Sequence, residues 1–156
     1  LFEQYYLRIR SISKNNILVT MNEAVRYYVK HQGKGRNMVL GLISDQSPRL
    51  MADTVWYDFL NRKTAFVGGG EKIALKFHLP VYFCHTRRIE AGCYAVRFDQ
   101  IYDGKENITD KEIIRRYVER LEAMIKEQPE LWLWSHNRWR HTPEKQAKKF
   151  GKSTLE

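Results

Sequence analysis

Pro80-Val81-Tyr82-Phe83-Cys84 and Cys93-Tyr94-Ala95-Val96-Arg97-Phe98, joined through Glu90-Ala91-Gly92, form the stretch on which the fold turns. The first is a short apolar run and the second alternates, so together they predict an antiparallel hairpin with its bend at Ala91-Gly92. Just upstream, Gly68-Gly69-Gly70 leads into Glu71-Lys72-Ile73-Ala74-Leu75-Lys76-Phe77, a glycine loop entering a helix. Earlier still, Met38-Val39-Leu40-Gly41-Leu42-Ile43 is a continuous apolar run bounded by glycine and by Asp45, the pattern of a central strand buried on both faces. Residues 44–61 between them read as a long loop, a length that compact domains keep for function or mobility. Strand, helix, strand and an antiparallel addition predict an α/β fold: a mixed sheet with flanking helices.

The rest of the chain supplies helices. Thr109-Asp110-Lys111-Glu112 matches a capping box, followed by Ile113, Ile114, Tyr117, Val118, Leu121 and Ile125 on one face up to Gln128. Pro129 ends that helix or starts another. Met21, Ala24, Val25, Tyr28 and Val29 predict a helix stopped by Gly33 and Gly35, and residues 1–16 a shorter one closing near Asn15-Asn16. Residues 142–156 are polar and lysine-rich and are expected to form a frayed basic tail, with Leu155-Glu156 a vector remnant.

With 156 residues the chain has room for one domain and not two. Seven Phe, nine Tyr and four Trp supply enough ring surface to offset the entropy of ordering, which argues against a disordered chain. The balance of 27 Lys+Arg against 18 Asp+Glu points to an anionic partner: nucleic acid, a lipid surface, a phosphorylated substrate or an acidic protein. Cys84 and Cys93 are too few for a disulfide framework or a four-ligand zinc site. No apolar run approaches the ~20 residues of a spanning helix. The start at Leu1, in the middle of an aromatic pattern, is expected of a segment cut from something longer.

Few residues carry a catalytic pattern. His85 and Glu90 have the H-x-x-x-x-E spacing of a base and its orienting acid, but a hairpin between them disfavours that pairing, and a strand-end histidine is the plainer reading. Ser44-Asp45 lacks the glycines of a nucleophile elbow. The amides at Gly68-Gly69-Gly70 suit an anion, yet no Lys-Ser/Thr follows and Glu71 would repel phosphate. No metal or cofactor is implied. The densest signal is Trp132-Leu133-Trp134-Ser135-His136-Asn137-Arg138-Trp139-Arg140. Its rings could stack on bases, sit at a headgroup layer or pack on the sheet from a terminal helix that puts Trp132, Ser135 and Trp139 on one face.

Ile43-Ser44-Asp45-Gln46, Asp58-Phe59-Leu60-Asn61 with Thr64-Ala65-Phe66, Gly70-Glu71-Lys72-Ile73-Ala74, and Pro129-Glu130-Leu131-Trp132-Leu133-Trp134-Ser135-His136-Asn137-Arg138-Trp139 occur in order at consistent spacing. In these the chain resembles the C-terminal half of the lipid A biosynthesis (lauroyl/myristoyl) acyltransferase family over about residues 1–141. The resemblance implies a glycerolipid-acyltransferase-like fold, here lacking its N-terminal part, at the cytoplasmic face of the inner membrane. It implies transfer of a fatty acyl chain from a thioester on acyl carrier protein or coenzyme A to a hydroxyl of a phosphorylated glycolipid.

The family's catalytic element, His-x4-Asp/Glu upstream of the Asp-Gln motif, has no counterpart before Asp45, because His31 is followed at that spacing by Arg36. Either the chain is a fragment whose histidine lies in a missing segment, or it is a degenerate product; the abrupt start favours the fragment, which by itself is expected to be inactive. The residues expected to bind substrate are Arg8, Arg10, Asp45, Gln46, Gly70, Glu71, Arg87, Arg88, Trp134, His136, Arg138 and Arg140. Arginines suit phosphates or the acidic carrier, and Asp45 and Gln46 suit a sugar hydroxyl. The partners implied are the acyl donor, the glycolipid and the membrane surface. The alternative from another class is a basic aromatic module for single-stranded nucleic acid, although no recognition motif accompanies it.

Overall fold

The computed structural model describes residues 5, 8, 9, 17–19, 21–32, 34, 38–51, 54–66 and 68–151. The chain divides into two units, Leu1–Gly41 and Leu42–Glu156.

In the first unit, Tyr5, Arg8 and Ile9 are helical and exposed, and helix α1 spans Met21–His31. It ends where His31 Nδ1 bonds the Tyr27 carbonyl at 2.8 Å and stacks on the Tyr27 ring, so the last turn satisfies one of its own free carbonyls. The remainder of the helix expected over residues 1–16, and the glycines expected to stop α1, lie outside the described residues.

One expected element straddles the boundary between the units at Gly41. Met38–Ile43, expected as a buried central strand, forms no strand; Val39 is 98% exposed and Leu42 and Ile43 are exposed as well. An apolar run becomes a strand only where a neighbour takes up its amides and carbonyls, and no described strand lies beside it. The loop expected over residues 44–61 is also shorter, because Val55–Phe59 forms β1, paired with β2 (Arg62–Phe66). Leu60 and Asn61 join them with φ of 49° and 59°, the double left-handed bend that matches hairpin twist. This pairing puts Tyr57, Phe59, Thr64 and Phe66 on one face, with the Phe59 and Phe66 rings edge-on at 5.3 Å.

Helix α2 (Gly70–Lys76) leads to the second hairpin, β3 (Val81–Glu90) and β4 (Cys93–Tyr102), turning at Ala91-Gly92 as the sequence predicts. The mixed sheet is therefore replaced, among the described residues, by two separate antiparallel hairpins in a mixed α/β unit. The long helix α3 (Asp110–Glu127) joins them. Its Ile113, Ile114, Val118, Leu121 and Ile125 are buried in one cluster with Phe59, Phe66, Ala74, Phe83, Ile101 and Tyr102, and Tyr117 packs against it. Thr109 caps α3 by accepting from the Glu112 amide at 3.3 Å. The other half of the box is not made, since the Glu112 carboxylate is held by Arg115 and Arg116, and their hydrogen bonds and charge pull its pKa down to about 2.

A single 3-10 turn, Pro129–Leu131, starts the tryptophan-rich segment, which is not a helix. Amide-to-carbonyl bonds from Trp134 to Trp132 and from Arg138 to His136 fold it into tight bends, so its side chains leave in different directions. Where a frayed tail was expected, Pro143–Phe150 forms helix α4, with Thr142 accepting from the Lys145 amide and proline at the first position.

Candidate substrate-binding site around Arg138

Arg138 is 2% exposed, and its Nε, Nη1 and Nη2 are all buried without a hydrogen-bond partner. Its guanidinium lies 4.4 Å from the centre of the Phe66 ring and 5.9 Å from that of Phe59, so the β1-β2 hairpin provides a floor of π-electrons in place of acceptors. Burial pulls its pKa down to about 10 against the opposing charges of Tyr117 and Asp45. Burial also raises the Tyr117 hydroxyl, with Asp45 adding to the shift and Arg138 opposing it. The guanidinium thus keeps its donors unused within reach of the charge of Asp45 and of the Tyr117 phenol.

The bends of residues 132–140 and the hairpin place the cation together. Trp139 donates its indole N–H to Thr64 Oγ1 at 2.9 Å, and Thr64 is 1% exposed on the inner face of β2. Trp132 packs beside Phe59. Both rings are partly buried and pack against the core, whereas Trp134 is exposed and donates to the Pro129 carbonyl at 2.7 Å.

The Asp45 loop is bound to this segment. Ser47 donates its amide to His136 Nε2 at 2.9 Å, and the Ser47 hydroxyl is buried without a partner, a second unused polar group beside the Asp45-Gln46 pair. Farther along the loop, Gln146 of α4 donates to the carbonyls of Met51 and Thr54 at 2.9 and 3.2 Å and accepts from the Trp56 indole at 2.6 Å. Of the residues expected from sequence, the structure thus brings Asp45, His136 and Arg138 into one neighbourhood, with Gln46 exposed at its edge.

The others fall elsewhere or are engaged. Glu71 is buried and accepts from the Gly69 amide at 2.7 Å, so the glycine turn is capped by the chain's own carboxylate. Gly70 packs against the end of the Leu42 side chain, since a Cβ there would come within 2.2 Å of Leu42 Cδ1 and would have to displace it. Arg87 faces Glu127 at 4.0 Å and Arg88 binds Glu130 at 3.1 Å, ion pairs that fasten the second hairpin to the end of α3. Arg140 donates to His141 Nε2 at 3.0 Å. Arg8 belongs to the first unit, and Arg10 lies outside the described residues. His85 does not meet Glu90; its Nε2 is 3.4 Å from Glu127 and its Nδ1 3.8 Å from Asp99.

Sequence reasoning passed over Ser47, His141 and Gln146. The signal for Gln146 was Thr142-Pro143-Glu144, a helix start that turns the next residues inward and outward by face. Among the described residues no group of three or more His, Cys, Asp or Glu side chains could hold a metal, and no helix is long and apolar enough to cross a membrane.

No curated protein and no solved structure matches the chain. Residues 1–141 match the family model described as bacterial lipid A biosynthesis acyltransferase. That match takes in the Asp45 loop, the Phe59/Phe66 hairpin and the bends around Arg138, and the chain belongs to the bacterial lipid A biosynthesis acyltransferase family.

Proposed function

We propose that this chain is the substrate-binding part of an acyltransferase with a glycerolipid-acyltransferase-like fold. It moves a fatty acyl group from a thioester on acyl carrier protein or coenzyme A to a hydroxyl of a lipid A-type phosphorylated glycolipid, at the cytoplasmic face of the inner membrane. In that reaction the acceptor oxygen bonds to the acyl carbonyl carbon, the carbon–sulfur bond breaks, and the hydroxyl proton passes through a base to the departing thiolate. The base is a histidine of a His-x4-Asp/Glu pair supplied from outside residues 1–156. Within them only His85 and Glu90 have the spacing, and His85 is turned to Glu127 and Asp99 instead.

One observation carries the reading: Arg138 keeps three buried donors unused beside Asp45. A phosphate or a carbonyl oxygen gaining negative charge gives those donors the acceptor they lack. Because the nitrogens are shut off from solvent, the site opens to admit it, and Asp45 then accepts from a glycolipid hydroxyl. Gly70 and Glu71 hold the floor of the loop, and Arg8, Arg10, Arg87, Arg88, Trp134 and Arg140 are left as outer contacts to anionic lipid or carrier. A single-stranded nucleic-acid module needs free rings for stacking, and Trp132 and Trp139 are packed against the core, which favours the acyltransferase.

The test is acyl transfer by an enzyme that joins this chain to the segment carrying the base, with and without Arg138→Met, followed by mass spectrometry of the glycolipid. Removal of a donor set aimed at developing charge is expected to lower the rate about 100-fold or more. An unchanged rate rejects the proposal.

A further inference from the structure

Three polar side chains from one short stretch, His136, His141 and Gln146, meet the backbone of the loop that follows Asp45. His136 accepts from the Ser47 amide. His141 bonds the Pro48 backbone. Gln146 reaches the Met51 and Thr54 carbonyls with its amide N–H groups and is 0% exposed. The first two hold the tip of the loop with single contacts. Gln146 holds its base with two, and its remaining oxygen is taken by Trp56 at the start of β1.

We propose that Gln146 is a positioning residue for acyl transfer: it anchors the far end of the segment that follows Asp45, so that Asp45 returns to one place within reach of the Arg138 charge. This rests on the reading of Asp45 as a substrate contact. Its physical basis is the lack of any regular pairing in residues 44–51, so that bonds from side chains determine where that backbone rests. A glutamine suits the task because one amide presents two donors to two carbonyls and an acceptor to the indole. The residue lies on α4, beyond the 1–141 stretch that matches the family.

When an anchor is lost, the loop spends less time in the binding arrangement, and the apparent affinity falls by the fraction of time lost while the chemistry of the bound complex stays the same. Two variants test this in the enzyme that joins this chain to the segment carrying the base. Gln146→Glu keeps the acceptor for Trp56 and removes the amide donors; Gln146→Met keeps the shape and removes donors and acceptor alike. For each, hydrogen exchange of the Ser47, Met51 and Thr54 amides is measured alongside steady-state acyl transfer to the glycolipid. Both variants are expected to speed exchange at these amides about tenfold and to raise KM for the glycolipid about tenfold, with kcat changed less than twofold. Unchanged exchange overturns the proposal, as does faster exchange without a rise in KM, or a raised KM without faster exchange. Asp45→Asn is run in parallel: if it leaves transfer intact, the reading of Asp45 fails and the positioning role fails with it, whatever the exchange shows.

Discussion

The Arg138 guanidinium lies over Phe66, 4.4 Å from the ring centre, with no acceptor at any of its nitrogens. A desolvated cation–π contact returns about 2 kcal/mol, whereas taking a guanidinium out of water costs several, so the residue is a net burden on the fold. Arg138→Met, close in volume and free of charge, is expected to raise stability by about 1–2 kcal/mol while acyl transfer is lost. Arg138→Ala leaves a cavity and is expected to lower stability by about 2–4 kcal/mol. Chemical denaturation of the three proteins checks this; a Met variant less stable than the parent would show the cation to be structural.

His141 makes the loop sensitive to acid. Burial lowers its pKa first, the charges of Arg140, Lys145 and Lys149 add to the shift, and the bond to Pro48 opposes it. Its Nε2 accepts from Arg140 Nε, so the neutral ring is the form that fits. The native state therefore binds this proton less readily than the unfolded chain. The resulting stabilisation is complete above the ordinary histidine pKa of about 6.5 and is lost as pH falls through the lowered native value. Thermal unfolding between pH 8 and 5 is expected to show a fall in Tm that shrinks in His141→Gln. An equal fall in that variant would locate the proton elsewhere.

The elements legible in sequence were those that satisfy themselves locally. Helix α3 announces itself through Thr109 and the spacing from Ile113 to Ile125, and the second hairpin through Ala91-Gly92 between apolar runs. Met38–Ile43 has an equally plain apolar pattern, but strand formation depends on a neighbour, which the pattern does not contain. β1 was hidden because it is only five residues long, with Val55, Tyr57 and Phe59 as its one alternating face, and its turn, Leu60-Asn61, lacks the glycine that usually marks such a bend. At the site, Asp45, His136 and Arg138 were found by resemblance. Their meeting was not legible, since it depends on the non-helical path of residues 132–140 and on the bond between Ser47 and His136, 89 positions apart. The glycine turn misled for a local reason, as Glu71 occupies the amide that an anion would use.

The Trp139–Thr64 bond fixes the segment carrying Arg138 onto the floor of the site. Thr64→Val preserves the β-branched shape and removes the oxygen, leaving the indole N–H half-buried without an acceptor. The expected cost is about 1–3 kcal/mol, and Thr64→Ser, which keeps the oxygen, should lose less. Equal losses would assign the effect to the missing methyl and not to the hydrogen bond. Indole fluorescence should shift in the Val variant below its melting transition as Trp139 loosens.

Gly104 offers a check on the scaffold at a place unrelated to substrate. It follows β4 with φ of 86°, and a Cβ there would come 2.5 Å from the carbonyl oxygen of His78, which itself has φ of 52° at the end of α2. Two left-handed residues meet back to back, so neither backbone can yield without disturbing the join between α2 and the second hairpin. Gly104→Ala therefore combines an unfavourable φ with a clash against main chain, and the expected loss is about 2–4 kcal/mol. His78→Gly, which relieves strain at the neighbouring position, should change stability by less than about 1 kcal/mol and restore part of the loss in the double variant, since the two sites touch and their effects are coupled. Strict additivity in that cycle, measured by urea unfolding, would contradict the contact.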